Sequence, residues 1–494
     1  KNQIYTCTGR ILVAINPFQR LDIYGQENMK RYQGKDVSKL ANDAPHVFAV
    51  GENAYAVLRR TAQDQSVLMA GESGAGKTET TKQLMLYLAS RARAPEAQGA
   101  ALSDAIIGSN PITEGFGNAK TSRNNNSSRF GKFTKIHFNK HGQVAGAMIR
   151  SYLLERSRIT QVAQGERTYH IFYMVVCGAT ADERKQLRLG SSGVGDFGLC
   201  SMSGQLTLPD KSDVALMEEL RGSYVACGFS SEEVLAVSRI VVGVLHFGNV
   251  AYEENDQGHG RAAPHLQQHV DNGEAVLGLE KISDLLTQRL ITAGRGSMYT
   301  KKLNKVESAH ARDAMVRIIF VRLFDWLCER INRYISGGSP EALHEMKFIG
   351  LLDIFGFERF EHNSFEQLCI NFTNEKLQQF FLGCVFKTEE EIHKLQGVRW
   401  KPVEFQDNQG CIDLIEKNPN GILRILDTQC KMPGSSDAKF MEAVNQAHKA
   451  SDFTTPVQKA KKRANEAFVV NHFAGKVCYD CKNGSWLEKN NDTL

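Results

Sequence analysis

The chain has 494 residues, and at roughly 150 per domain that length predicts about three units with a large buried core. Its 60 Lys+Arg against 55 Asp+Glu leave a net +5, too mild for a protein whose main partner is nucleic acid, though compatible with a local basic patch. Hydrophobic residues at 42% and charged residues at 23% are ordinary globular values, and no run approaches 18 apolar residues, so no direct membrane insertion is expected.

The chain opens at Lys1-Asn2-Gln3 with neither Met nor a signal peptide and passes straight into a strand-like Ile11-Leu12-Val13-Ala14-Ile15, as a piece of a longer protein would. Ser66-Val67-Leu68-Met69-Ala70 is a short apolar run that meets a glycine-rich turn, and Thr80 to Ser90 is patterned as a helix. Ala92 to Leu102, rich in Ala, Gly and Pro, is expected to be a loop. Phe133 to Phe138 alternates like a strand, Lys140-His141-Gly142 turns it, and Ala147 to Leu154 is its expected partner. Ala181 to about Ile335 is expected to be mainly helical, broken by polar loops at 190–198 and 253–264. Phe348-Ile349-Gly350-Leu351-Leu352 is a buried strand ending in Asp353. Asn363 to about Ile392 follows as one long helix of roughly 45 Å, with Phe365, Leu368, Phe372 and Phe380 on its apolar stripe.

The eleven cysteines are odd in number and scattered, which suits a reducing, intracellular setting. Cys478 and Cys481 form a C-x-x-C without a second pair, so they are expected to be incidental. His265 and His269 lack the Glu of a zinc helix and are expected in a solvated loop.

Gly71-Glu72-Ser73-Gly74-Ala75-Gly76-Lys77-Thr78 matches G-x-x-x-x-G-K-[ST] between an apolar strand and a helix. In this motif backbone N–H groups point at phosphate oxygens, the Lys meets the β/γ-phosphates, and the hydroxyl can ligate Mg²⁺; the helix that follows adds its N-terminal dipole. Two further loops narrow the reaction. Asn124-Asn125-Asn126-Ser127-Ser128-Arg129-Phe130-Gly131-Lys132 precedes a strand, and Asp353-Ile354-Phe355-Gly356-Phe357-Glu358 ends the second buried strand. Together with the P-loop they make two phosphate sensors that can order around a γ-phosphate and relax after its loss.

With these three loops the chain resembles a myosin motor domain from about Tyr5 to Leu494. Asn16-Pro17-Phe18-Gln19-Arg20-Leu21-Asp22-Ile23-Tyr24 is similar to the family's purine-binding loop, and Asn363 through Phe381 to its relay helix. Tyr152-Leu153-Leu154-Glu155, Arg322-Leu323-Phe324-Asp325-Trp326 and Trp486-Leu487-Glu488-Lys489-Asn490 resemble further family stretches. Kinesins share the P-loop and similar sensor loops, but the long insertion 129–352 and the relay-like helix favour myosin. Asn125 for a frequent Asp, Phe355 at a variable position and Asp22 for a frequent Pro depart from the commonest pattern without removing a group the chemistry needs.

The resemblance implies an α/β P-loop NTPase with a central mixed β-sheet flanked by helices and large, mainly helical actin-binding insertions. It implies three parts: a nucleotide-binding core at 1–122, the first sensor loop and upper cleft subdomain at 123–347, and the second sensor loop, relay helix and lower cleft subdomain at 348–494. It implies a Mg-ATPase of the cytoplasmic actin cytoskeleton. Asn16 and Tyr24 would border the adenine, and Gly71, Glu72, Ser73, Gly74, Ala75, Gly76, Lys77 and Thr78 would cradle the phosphates with Asn124. Thr78 and Ser128 would ligate Mg²⁺, and Asp353 would hold it through water. Ser127 would place or relay protons from the attacking water, Gly356 would donate its N–H to the γ-phosphate, and Arg129 and Glu358 would close the site as a gate pair. Actin would meet a helix–loop–helix at Cys411–His448, with Lys431, Met432 and Pro433 at its tip. The basic cluster of Lys459, Lys461, Lys462 and Arg463 reads either as a solvated face or as an actin contact. Ser297, sixteen positions before Asp313, would be a phosphorylatable regulator in an actin-facing loop. Light chains or calmodulin would bind only through a lever outside these residues, as would the converter's work. The competing readings are an actin-binding module regulated by nucleotide without turnover, which the intact Lys77, Ser127, Ser128, Arg129, Gly356 and Glu358 disfavour, and a nucleic-acid ATPase, which the charge balance disfavours.

Overall fold

An apolar strand such as Phe348–Leu352 needs hydrogen-bonded neighbours on both edges, and the computed structural model supplies them in a four-stranded mixed sheet. The structure describes residues 3–8, 11–35, 45–92, 97–292, 298–338, 340–399, 401, 407–448, 453–456, 466–482 and 485–490. The chain forms two compact units, Lys1–Phe355 and Gly356–Thr493.

The sheet of the first unit contains β1 (Gln65–Met69), β2 (Gly131–Phe138), β3 (Val144–Tyr152) and β4 (Lys347–Asp353), in the order β1-β4-β2-β3. β4 runs parallel to β1, with Asp353 opposite Met69, and antiparallel to β2, with Asp353 opposite Lys132. β2 and β3 pair antiparallel. This register brings the C-terminal ends of β1 and β4 and the N-terminal end of β2 to one edge, which is where α/β sheets bind ligands. The P-loop leaves that end of β1, Asp353 closes β4, and the first sensor loop enters β2.

Helices cover the sheet because their apolar residues recur at three- and four-residue steps. α1 (Lys77–Arg91) buries Leu84, Met85, Tyr87 and Leu88. α2 (Ser231–Gly248) and α3 (Gln267–Leu277) pack in the same unit with the 31-residue α4 (Lys305–Ile335). Asn304 starts α4 by accepting the Val306 and Glu307 N–H groups, and Val316, Phe320, Leu323, Phe324, Leu327 and Ile331 form its buried stripe.

Several expectations are corrected here. The expected loop 92–102 contains the start of a helix, Ala97–Gly108, since Ala outweighs one Gly in helix propensity. The expected helical region 181–335 also holds two antiparallel hairpins, Tyr252–Glu254 with Gly260–Ala262 and Gln288–Thr292 with Met298–Lys302. Residues 298–302 are all exposed, so no apolar alternation marked them. His269 lies on α3 rather than in a loop, with Nδ1 3.0 Å from His246 Nδ1. Ser297 and the basic cluster Lys459–Arg463 lie outside the described residues.

In the second unit, β5 (Thr454–Pro456), β6 (Ala467–His472) and β7 (Gly475–Asp480) form an antiparallel sheet. Its core joins Leu368, Ile415, Ile422, Phe440, Phe468 and Trp486, and the buried indole donates to Asp480 C=O at 2.9 Å. The expected long helix is present without a gap from Phe365 to Leu395, as α5 (Phe365–Leu382), a π-helical turn (Gly383–Lys387) and a last stretch at Thr388–Leu395. Phe380 is 65% exposed and leaves the apolar stripe. The expected helix–loop–helix is three helices, α6 (Gln409–Glu416), α7 (Ile422–Lys431) and α8 (Asp437–Ala447). Cys478 is exposed and Cys481 buried, as near neighbours around a strand end can be.

Candidate functional site

The P-loop can turn tightly because Gly74 and Gly76 take φ of 84° and 91°, values that side chains with a Cβ rarely adopt. Lys77 Nζ donates to the Gly71 and Glu72 carbonyls, both at 2.8 Å, and so straps the loop from inside. The N–H groups of the first turn of α1 have no intrahelical partners, which leaves an anion-binding end. Asn16 Nδ2 donates to Gly74 C=O at 2.7 Å, tying the segment 16–24 to the P-loop. The Tyr24 hydroxyl lies 2.8 Å from that of Tyr5, and its ring packs on His46 and Phe48.

Three oxygen-bearing residues meet on one small cavity of about 20 Å³: Thr78 from α1, Ser128 from the first sensor loop and Asp353 from the end of β4, with Lys82, Glu114 and Lys132 also in its wall. Burial raises the Asp353 pKa, while a hydrogen bond from Thr78 and the charges of Lys77 and Lys132 pull it back. Burial also brings Lys132 down to about 8, with Nζ donating to Asn110 Oδ1 at 2.7 Å and Thr113 Oγ1 at 3.2 Å. In the same wall Asn118 Oδ1 is buried without a hydrogen-bond partner. An all-oxygen donor set, a carboxylate and a waiting acceptor fit a hard cation that keeps several of its waters, as Mg²⁺ does.

The first sensor loop is shaped by its own amides. Asn124 Oδ1 accepts the Asn126 N–H at 3.0 Å, Asn126 bonds Asn118 and Glu114, and Asn125 donates to Asp210 at 2.7 Å. Ser127–Ser128 pairs antiparallel with Asn118–Ala119. The Ser127 hydroxyl lies 3.4 Å from that of Ser73 in the P-loop. Arg129 is 1% exposed, with Nε 2.6 Å from Glu155 Oε2 and Nη1 3.4 Å from Ser127 Oγ. The sequence marked Ser73, Thr78, Ser127, Ser128, Arg129 and Asp353, and the first unit brings them together. It gave Glu155 no role, and nothing in the spacing could have assigned one.

In the second unit Gly356 and Glu358 are buried. Asn371 on α5 holds the Glu358 peptide at both ends, accepting its N–H at 2.9 Å and donating to its C=O at 2.8 Å. Gln367, four residues earlier, donates to the Glu358 carboxylate at 3.4 Å. Glu375, four residues later, accepts from Phe473 N–H and Asn408 and lies 2.9 Å from His472 Nδ1. Tyr479 links the stripe, its hydroxyl 2.7 Å from His472 Nε2 and accepting from Asn371 at 2.9 Å. Among the described residues Glu375, Cys411 and His472 bring ligand-type atoms within 4.8 Å of one another, but the hydrogen bonds just given already occupy the carboxylate. Lys431, Met432 and Pro433 are exposed where α7 ends, with Lys431 Nζ 3.4 Å from Asp427.

The family model described as myosin head (motor domain) matches residues 1–494. The chain is 41% identical to Myosin-7 of Arabidopsis thaliana over 503 residues, covering 99% of this chain and 28% of that protein. It is 42% identical to Myosin-8 of the same plant over 498 residues, covering 99% and 32%. Against Myosin-VIIa of Drosophila melanogaster it is 39% identical over 503 residues, covering 100% and 22%. The chain therefore spans about a third or less of the length of these curated relatives. No helix among the described residues is long and apolar enough to cross a membrane.

Proposed function

Because the chain belongs to the myosin motor family, we propose that it binds ATP with Mg²⁺, hydrolyses it, and couples the cycle to binding and release of actin filaments. The observation that carries this reading is the meeting of Thr78, Ser128 and Asp353 on one cavity beside the P-loop lysine. Phosphoryl transfer is mostly positioning and charge stabilisation, and the described side chains supply both.

In this reading Ser73, Lys77 and the backbone from Gly71 to Thr78 hold the terminal phosphates, with Asn124 beside them. Thr78 and Ser128 ligate the metal and Asp353 orders its water. Bound Mg²⁺ neutralises charge on the phosphate oxygens. Asn16 and Tyr24 border the adenine. Ser127, next to Ser73, orients the attacking water and passes on its proton. Gly356 donates its N–H to the γ-phosphate, and Arg129 with Glu358 closes the site against bulk water. Lys431, Met432 and Pro433 contact actin, and phosphorylation of Ser297 tunes that contact. The functional parts remain 1–122, 123–347 and 348–494.

The test is Mg-dependent phosphate release by the protein, with and without actin filaments, alongside co-sedimentation with filaments. Turnover that rises with actin, and release of the filament on adding ATP, are expected. ATP binding without phosphate release, or turnover indifferent to actin, overturns the proposal.

A further inference from the structure

One buried chain of ions begins on the first sensor loop at Arg129 and ends at Ser122, two residues before that loop. Arg129 Nε and Arg158 Nε each lie 2.6 Å from the same oxygen, Glu155 Oε2. Arg158 Nη1 continues to Glu166 Oε2 at 2.9 Å, and Glu166 Oε1 accepts the Ser122 N–H at 3.1 Å. The main chain reinforces both anchors: Glu155 N–H donates to Arg129 C=O, and Arg167 N–H to Lys120 C=O, each at 3.0 Å. The Glu155 C=O is itself fixed, accepting the Tyr169 hydroxyl at 2.8 Å.

Ions buried in this way are a poor source of stability, because desolvation offsets most of their attraction. What they supply is geometry. A guanidinium carries five donors in a rigid fork, so one carboxylate on Nε orients the whole group without exhausting it. Here that orientation points Nη1 at Ser127, the hydroxyl that also approaches Ser73 of the P-loop. The Glu155 side chain is 8% exposed. Burial works against its charge, but Arg129 and Arg158 outweigh burial and bring its pKa down to about 2, so it stays ionised throughout the neutral range.

We propose that Glu155 is a positioning residue for hydrolysis: it sets the orientation of the Arg129 guanidinium and, through Arg158 and Glu166, its span to Ser122, just before the first sensor loop. The inference rests on Arg129 acting in ATP cleavage, as proposed above. It predicts an effect on the cleavage step rather than on nucleotide capture, because Glu155 acts through Arg129 and Arg158 rather than through the P-loop.

The experiment compares wild type, Glu155→Gln, Arg129→Lys and the double variant, by single-turnover ATP cleavage and by affinity for a fluorescent ATP analogue. Glu155→Gln keeps the shape and the main-chain bonds while removing the charge. Cleavage should slow by about tenfold or more while affinity changes by less than about threefold. In the Arg129→Lys background the same substitution should add little, since the two changes break one interaction. Should Glu155→Gln fail to fold, Glu155→Asp, which keeps the charge and withdraws it by one methylene, replaces it in the same cycle. Unchanged cleavage, equal loss of affinity and cleavage, or additive effects in the double variant each overturn the inference. A wild-type protein that binds ATP without cleaving it overturns the functional reading instead.

Discussion

Lys77 serves the charge and the shape of the P-loop with one ammonium group, since it bonds the Gly71 and Glu72 carbonyls. With hydrogen bonds to charged groups worth about 1.5–3 kcal/mol each, Lys77→Ala should weaken ATP binding by about 10- to 100-fold; titration with a fluorescent nucleotide measures this, and unchanged affinity would contradict a phosphate site here. Glu358 differs, because its peptide is held by Asn371 whatever its carboxylate does. Glu358→Gln should therefore keep ATP affinity while lowering turnover by about 100-fold, a split that rapid-quench cleavage set against equilibrium binding resolves. If Arg129 and Glu358 act as the pair proposed above, exchanging their charges should recover only part of the turnover, because Arg129→Glu would set a second carboxylate beside Glu155.

At the scale of elements, β4 shows how closely the sheet is packed. A Cβ at Gly350 would lie 2.5 Å from the Phe133 ring on the adjacent β2, so Gly350→Ala should destabilise the first unit by about 1–3 kcal/mol, read as a lower denaturant midpoint. The sheet strands and the P-loop were legible because long apolar runs and a dense glycine motif leave few alternatives. The two small hairpins were not, since strands of three to five residues lacking a buried face carry no period. The π-turn inside the long helix was hidden as well: Gly383–Lys387 keeps helical composition while its hydrogen bonding widens. Within the site, the motif residues were readable one loop at a time. Their partners were not, because Glu155, Glu114 and Lys132 are ordinary charged residues until folding sets them against the loops.

For the whole molecule, stability should depend on acid in a way traceable to Glu155. Its folded pKa of about 2 lies below the ordinary carboxylate value of 4.5, so its contribution is complete above that ordinary value and is lost as pH falls toward 2. Thermal unfolding from pH 7 down to pH 3 should accordingly show a steeper loss for wild type than for Glu155→Gln, and parallel curves would assign acid lability to other groups. The second unit carries a different kind of constraint. Gln367, Asn371 and Glu375 stand four residues apart on α5, the first two holding Glu358 and the third His472, and four residues advance a helix by about 6 Å. This face of the helix is therefore keyed to its unit at three successive turns, by two side chains on one residue and a third on another.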